Sequence, residues 1–286
     1  MTAHVMSPSD ALELPFLCTP QPRQLPDPSA AAPCDRRSAS VTSPRAHTEP
    51  AGRIDPASIR SYRVERTDAV ALLERLPSAS VDLIVTDPAY ESLEKHRAIG
   101  TTTRLKHSKA SSNDWFTIFP NARFGELFEQ AARVLKRHAH LYLFCDAETM
   151  FVAKPIAEAA GFKLWKPLVW DKKLIGMGYH YRARYELILF FEKGKRKLKD
   201  LSVPDILEAP RIRGGYPSEK PSSLSETLIR QSSEPSELVV DPFCGSGSVG
   251  VAALSRGRRF LGGDLCEEAV ETTLERLAQT TQREGT

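Results

Sequence analysis

The chain has 286 residues, 41% hydrophobic and 26% charged, with a formal net charge of +3, which suits one substantial globular domain or one and a half. It holds no 18-residue apolar run and no basic-then-apolar leader, so a soluble, cytoplasmic protein is expected rather than a membrane protein. Its five cysteines (Cys18, Cys34, Cys145, Cys244, Cys266) form no C-x-x-C pair, which argues against a disulfide framework or a zinc site, and its small net charge argues little for nucleic acid.

Residues 1–55 hold nine prolines within the first fifty and show no sustained period of 2 or 3.6. Such a segment buries too little apolar surface to offset its ordering entropy, and a disordered extension is predicted. Periodicity begins at Tyr62. "YRVER" reads as a strand, Asp68 as an acidic turn, Val70 to Leu76 as a short amphipathic helix and Val81 to Val85 as a buried strand. Glu91 to Arg123 is a weakly apolar insertion after a strand end, the usual setting of a functional loop. "ELFEQAARVLKR" sets Leu127, Phe128, Ala131, Ala132 and Leu135 at helical spacing, "HLYLFC" is a buried strand, and Thr149 to Ala160 is a helix closed by Gly161. "FKLWKPLVWD" and "YELILFFEK" are strands with no helix between them, which predicts an antiparallel pair at one edge of the sheet. After a basic, loop-rich stretch from about Gly194 to Gly215 come the helix "SSLSETLIRQSS", the strand "ELVVD", the helix "SVGVAALSR", the strand "RRFLGGD" and a last helix from Glu267 to Gln279. This alternation predicts an α/β domain over residues 56–286 with a mostly parallel sheet.

Two stretches carry chemistry. "VVDPFCGSGSVG" follows a strand and opens a helix, and its Gly245, Gly247 and Gly250 match G-x-G-x-x-G, a loop that brings backbone close to a ligand. The next strand ends in Asp264, placed to accept from the hydroxyls of a ribose. Only 22 residues follow Asp264, too few for a second nucleotide half, and Asp241 at the strand tip would repel a pyrophosphate but attract a cation. No G-K-[ST] is present, so a P-loop is excluded. One adenosine-bearing ligand with a cationic part, such as S-adenosylmethionine, fits better than a dinucleotide. The second stretch is "DPAY", Asp87 to Tyr90, at the end of a buried strand. Alone it could be an Asx-type turn with a packing tyrosine.

With both motifs in this order, the chain resembles the β-class amino DNA methyltransferases, in which D-P-P-Y precedes F-x-G-x-G. "YPSEKP" (Tyr216 to Pro221) is similar to the family's "HPTEKP", and "RYELILFFEKGKR" to its "RHELILFAxKGKR". The resemblance covers about Tyr62 to Leu277. It implies a Rossmann-like methyltransferase fold and transfer of a methyl group from S-adenosylmethionine to adenine N6 in double-stranded DNA. Cytosine N4 is the alternative, and an aspartate at the first motif position leans toward adenine; an RNA or small-molecule methyltransferase is the more distant reading. In this reading the Asp87 carboxylate and the Pro88 carbonyl accept the two N–H groups of the target amine, and Tyr90 stacks on the flipped base. No covalent intermediate is required. Ala89 stands where the family has a second proline, which loosens the loop. The resemblance further assigns Asp241, Phe243, Gly245 and Gly247 to the methionine and ribose side of the cofactor, Lys220 to the methionine carboxylate and Asp264 to the ribose. Ser218 keeps the hydroxyl of the more common threonine. Asp68 either contacts the adenine amine or caps the helix that follows it, and Lys220 could instead be a solvated lysine.

DNA contact is expected from loops near 91–123, 171–184 and 192–215. The residues singled out are Lys95, Arg97, Arg104, Lys106 and Lys109 in the first and Arg182 and Arg184 in the second. His96 and His107 sit in no acid–histidine pattern, so no metal is expected. The gap available for target recognition between "ELILF" and the cofactor half is short, about Glu192 to Gly215, which favours a homodimer to supply more DNA-gripping surface.

Overall fold

Strands in which successive residues are all apolar must be covered on both faces, and this sheet has helices on each. The computed structural model describes residues 52–92, 117–176, 180–212 and 219–284. Its eight strands are β1 (Tyr62–Arg66), β2 (Val81–Thr86), β3 (Leu135–Cys145), β4 (Lys163–Asp171), β5 (Tyr185–Lys193), β6 (Ile206–Glu208), β7 (Leu238–Asp241) and β8 (Arg259–Asp264), in the order β1-β8-β7-β2-β3-β5-β4-β6. Helices α1 (Ala69–Glu74), α2 (Phe124–Val134) and α3 (Ala147–Ala159) cover one face; α4 (Ser222–Ser232), α5 (Ser248–Leu254) and α6 (Glu267–Glu284) cover the other. Alternation divides the strand side chains between the layers. Ile84, Leu141, Leu143, Leu189 and Val240 face the first, and Leu83, Val85, Tyr142, Phe144, Ile188 and Val239 the second.

Seven strands run the same way and β5 alone is reversed, antiparallel to both β3 and β4. The mostly parallel α/β architecture is thus present, but the antiparallel element does not lie at the edge. The edge is β6, which pairs parallel with β4. It comes from the stretch expected to be loop, is three residues long, and buries only Leu207, too little for a period to register in the sequence. A second correction concerns α2 and β3. The helix begins at Phe124 and stops at Val134, and Leu135 opens β3 in extended conformation opposite Val81. Leu135 is buried in the sheet, so its apolar character matched a helical period by coincidence.

Residues 1–51, most of the 91–123 insertion (93–116), and residues 177–179 and 213–218 lie outside the described residues. Within the predicted extension, Ile54 is fully buried in the first core layer and its N–H donates to the Arg75 carbonyl, so packing begins before Asp55. No helix among the described residues is long and apolar enough to cross a membrane.

The chain leaves β2 toward β3 on one side and leaves β7 toward β8 on the other, so the sheet order reverses between β2 and β7. Open α/β sheets bind ligands at such a point, beyond the carboxyl ends of the strands.

Candidate active site

Four neighbouring strands end in an aspartate: Asp68 just beyond β1, Asp264 on β8, Asp241 on β7 and Asp87 just beyond β2. With strands about 4.8 Å apart, this acidic edge spans roughly 14 Å. The "DPAY" and glycine-loop motifs, far apart in sequence, therefore meet at adjacent strand tips.

Asp241 is 2% exposed, and its Oδ1 accepts from Thr86 Oγ1 at 2.8 Å and from the Phe243 N–H at 3.1 Å. Burial pushes its carboxyl up to about 7, with the charges of Asp87 and Asp264 acting in the same direction. A buried acid so placed is poised for a cationic partner. Asp264 accepts from the N–H of Cys266 at 2.9 Å and of Gly245 at 3.0 Å, while burial raises its carboxyl above the usual range.

The glycine loop is held from beneath by α6. Thr273 Oγ1 donates to the Gly245 carbonyl at 2.8 Å, and Arg276 Nη1 donates to the Ser246 carbonyl at 2.7 Å. Gly245 has φ +50° with open space where a Cβ would project; Gly247 has φ +78°, and a Cβ there would lie 2.8 Å from Thr273. The glycines thus serve two needs, a cradle left open and a close approach to a helix. Phe243 lies beside the loop, edge-on to Phe119 at 5.0 Å. A cradle left open beside a buried acid and a half-buried one fits a nucleoside with a cationic arm.

At the other end of the site, Lys220 Nζ donates to Asp87 Oδ2 at 2.5 Å and lies 3.2 Å from Glu186 Oε2, while Lys172 pairs with the other Glu186 oxygen. Lys220 is 11% exposed, its ammonium packed over the rings of Phe144 and Trp170. Lys220 is therefore not a solvated lysine; its ammonium is engaged by two carboxylates at the end of the site where the methionine carboxylate was expected. Burial raises the Asp87 carboxyl; Lys220 opposes and Glu186 adds to the rise. Glu186 is itself held low, its burial outweighed by Lys220 and Lys172.

The Ala89 carbonyl accepts the Phe119 N–H at 2.7 Å, and Tyr90 bridges Phe119 as a parallel pair. Among the described residues no backbone donor reaches the Pro88 carbonyl. Glu91 accepts from the backbone and side-chain N–H groups of Asn121, so the two flanks of the 91–123 insertion are tied together beside the site. Tyr90 is half-buried near Glu186, Asp87 and Asp146.

Asp68 caps α1, accepting from Val70 and Ala71, and forms a two-pronged pair with Arg123 at 2.7 and 2.9 Å. The capping reading holds, and a ligand amine reaching Asp68 would compete with Arg123. Arg184 is likewise engaged, its guanidinium on both Asp171 oxygens at 2.7 and 2.6 Å, which holds the Asp171 carboxyl down at about 2. Arg182 is exposed in the same hairpin. In the 192–215 segment expected to contact DNA, three basic side chains are internally paired: Lys193 donates to the Ala132 and Leu135 carbonyls, Arg196 pairs with Glu237, and Lys199 with Glu234. Ser218 and Lys95, Arg97, Arg104, Lys106 and Lys109 lie outside the described residues. Sequence reasoning missed Glu186, Lys172, Arg123, Thr273 and Arg276. Only Glu186 left a trace, as an acid interrupting the apolar run "YELILFF".

A family profile described as DNA methylase matches residues 81–210 and 199–275. YubD of Escherichia coli (strain K12) is 30% identical over 215 residues, 74% of this chain and 88% of that protein. The DNA adenine methyltransferase YhdJ of the same organism is 27% identical over 252 residues, 73% of this chain and 80% of YhdJ. Among solved structures, a DNA modification methylase of Thermus thermophilus, TTHA0409, complexed with S-adenosyl-L-methionine, superposes with a TM-score of 0.56 at 23% identity, covering 77% of this chain and 94% of TTHA0409. The strand-tip acids, the open glycine loop and these matches lead to one conclusion: the chain belongs to the N6-adenine/N4-cytosine family of DNA methylases and is an S-adenosylmethionine-dependent DNA methyltransferase.

Proposed function

We propose that this enzyme, of the β class, methylates adenine N6 at a short specific site in double-stranded DNA after flipping the base out of the helix. The observation that carries the reading is the placement of Asp87, Pro88 and Tyr90 at the strand tip adjacent to the glycine loop, across the switch point of the sheet. An exocyclic amine is a poor nucleophile because its lone pair is delocalised into the ring. Two acceptors, the Asp87 carboxylate and the Pro88 carbonyl, draw the nitrogen toward tetrahedral geometry and turn the lone pair toward the methyl donor. Tyr90 offers a ring for the extruded base to stack on. Bound S-adenosylmethionine would supply the electrophilic sulfonium methyl and leave as the neutral thioether, while the methylated amine gives up its extra N–H proton to the Asp87 carboxylate. Asp241 would face its ammonium, Phe243, Gly245 and Gly247 would line its methionine and ribose side, and Asp264 would accept from the ribose hydroxyls. Because the attack is direct, no cysteine nucleophile is required, and burial raises the Cys145 and Cys244 thiols, which keeps them in the unreactive form.

The test uses S-adenosylmethionine labelled in the methyl group, a set of duplex substrates and nucleoside analysis of the digested product. Label in N6-methyladenine, with duplex required, is the expected result. Label found only in N4-methylcytosine would replace the target base, since the same two acceptors serve either amine. Efficient labelling of RNA without duplex DNA would overturn the reading.

A further inference from the structure

Lys220 stands between two carboxylates, 2.5 Å from Asp87 and 3.2 Å from Glu186, in a pocket walled by Phe144 and Trp170. Glu186 is the second residue of β5, the one reversed strand, and Lys172 holds it from the end of β4. Two acids and two bases thus alternate as Asp87–Lys220–Glu186–Lys172, and the row is neutral as a whole. An ammonium with a single buried carboxylate beside it would close on that carboxylate alone. Asp87 would then be a weaker acceptor for any third group, because its charge would already be matched. A second carboxylate behind the ammonium divides its attraction.

We propose that Glu186 is a positioning residue for methyl transfer: by sharing Lys220, it keeps the Asp87 carboxylate in place and available to the target amine. Glu186 does not touch the reacting atoms; it acts through Lys220. The inference rests on the reading of Asp87 as the amine acceptor. As the amine engages Asp87, Lys220 moves its ionic contact toward Glu186, so no charge is left buried without a partner. Other groups face this row. Tyr90 and Asp146 lie close on the loop side, Cys145 at the end of β3, and Asp241 across from Asp87 on β7.

The test compares wild type with Glu186→Gln, which keeps the shape of the side chain and removes its charge. Folding is checked by thermal melting, and kcat, KM for S-adenosylmethionine and the pH profile of kcat are measured on duplex DNA. The expected result is a fall in kcat of about ten- to a hundredfold with KM for the cofactor changed less than about threefold, the scale of a misplaced catalytic group. The acidic limb of the profile should also move to lower pH, since Glu186 contributes to raising the Asp87 carboxyl. A folded variant with unchanged kcat, or one with lowered kcat and an unmoved acidic limb, overturns the proposal; the second outcome would make Glu186 merely structural. Wild type that transfers no methyl group to DNA would instead sink the reading of the site, and this inference with it. Should Glu186→Gln fail to fold, Lys172→Gln/Glu186→Gln removes one charge of each sign and carries the same expected loss of kcat, with an unchanged kcat overturning the proposal.

Discussion

Asp241 has a carboxyl that burial has made reluctant to ionise, and this has a consequence for binding. Its acid form dominates below about 7 in the free protein. A ligand ammonium stabilises only the ionised form, so binding should release a proton, and affinity should rise as pH climbs toward 7 and then level. Calorimetric titration with S-adenosylmethionine on either side of that value, in two buffers of different ionisation enthalpy, would show this. An affinity flat across the window with no proton release would remove Asp241 from the ammonium site. Asp264 makes a different contribution. Its Ala variant loses a charge-assisted acceptor and should weaken cofactor binding by roughly 1–3 kcal/mol, read in the same titration, and an unchanged affinity would place the ribose elsewhere. Asp87, Asp241 and Asp264 could be read from the sequence because each ends an apolar run, and an acid at a strand tip is visible without coordinates. The distant partners of Asp87, Asp241 and Asp68 could not, since Lys220, Thr86 and Arg123 reach them across gaps of 133, 155 and 55 residues.

Glycine-loop geometry is a property of two elements together, the turn after β7 and the helix α6 that supports it. Gly247→Ala would force a side chain into φ +78° and against Thr273 at 2.8 Å. The two effects should destabilise the protein by about 1–3 kcal/mol, seen as a lower urea midpoint, and a midpoint equal to wild type would contradict the packing described. The long elements were legible for the same reason that they are stable. β5 and β7 are built on the apolar runs 187–191 and 238–240, and α2 carries Leu127, Phe128 and Ala131 at helical spacing on its buried face. The α2–β3 boundary was not, because Leu135 suits either period. Nor was β6, whose pairing depends on β4 alone and on the Trp170 indole donating to the Ala209 carbonyl at 2.8 Å.

At the scale of the molecule, the homodimer expected from the short recognition gap finds no help in α2. Its apolar face is buried in the first core layer. Large apolar side chains do lie exposed elsewhere, Phe151, Trp165 and Ile206 among them. We still expect two chains per particle by light scattering with or without duplex. The mass of one chain under both conditions would leave DNA contact to the single subunit's own loops. The sheet order itself brings the early "DPAY" tip and the late glycine loop together, and it is this junction that the proposed chemistry needs. The most direct measurement is the single-turnover rate of methyl transfer for Asp87→Ala at saturating duplex and cofactor, alongside its calorimetric affinity for S-adenosylmethionine. Removing an acceptor whose value grows as the amine rehybridises should lower the rate by about two orders of magnitude or more while leaving cofactor affinity within about threefold. A near-normal rate in a folded Asp87→Ala protein would contradict the assignment of the active site.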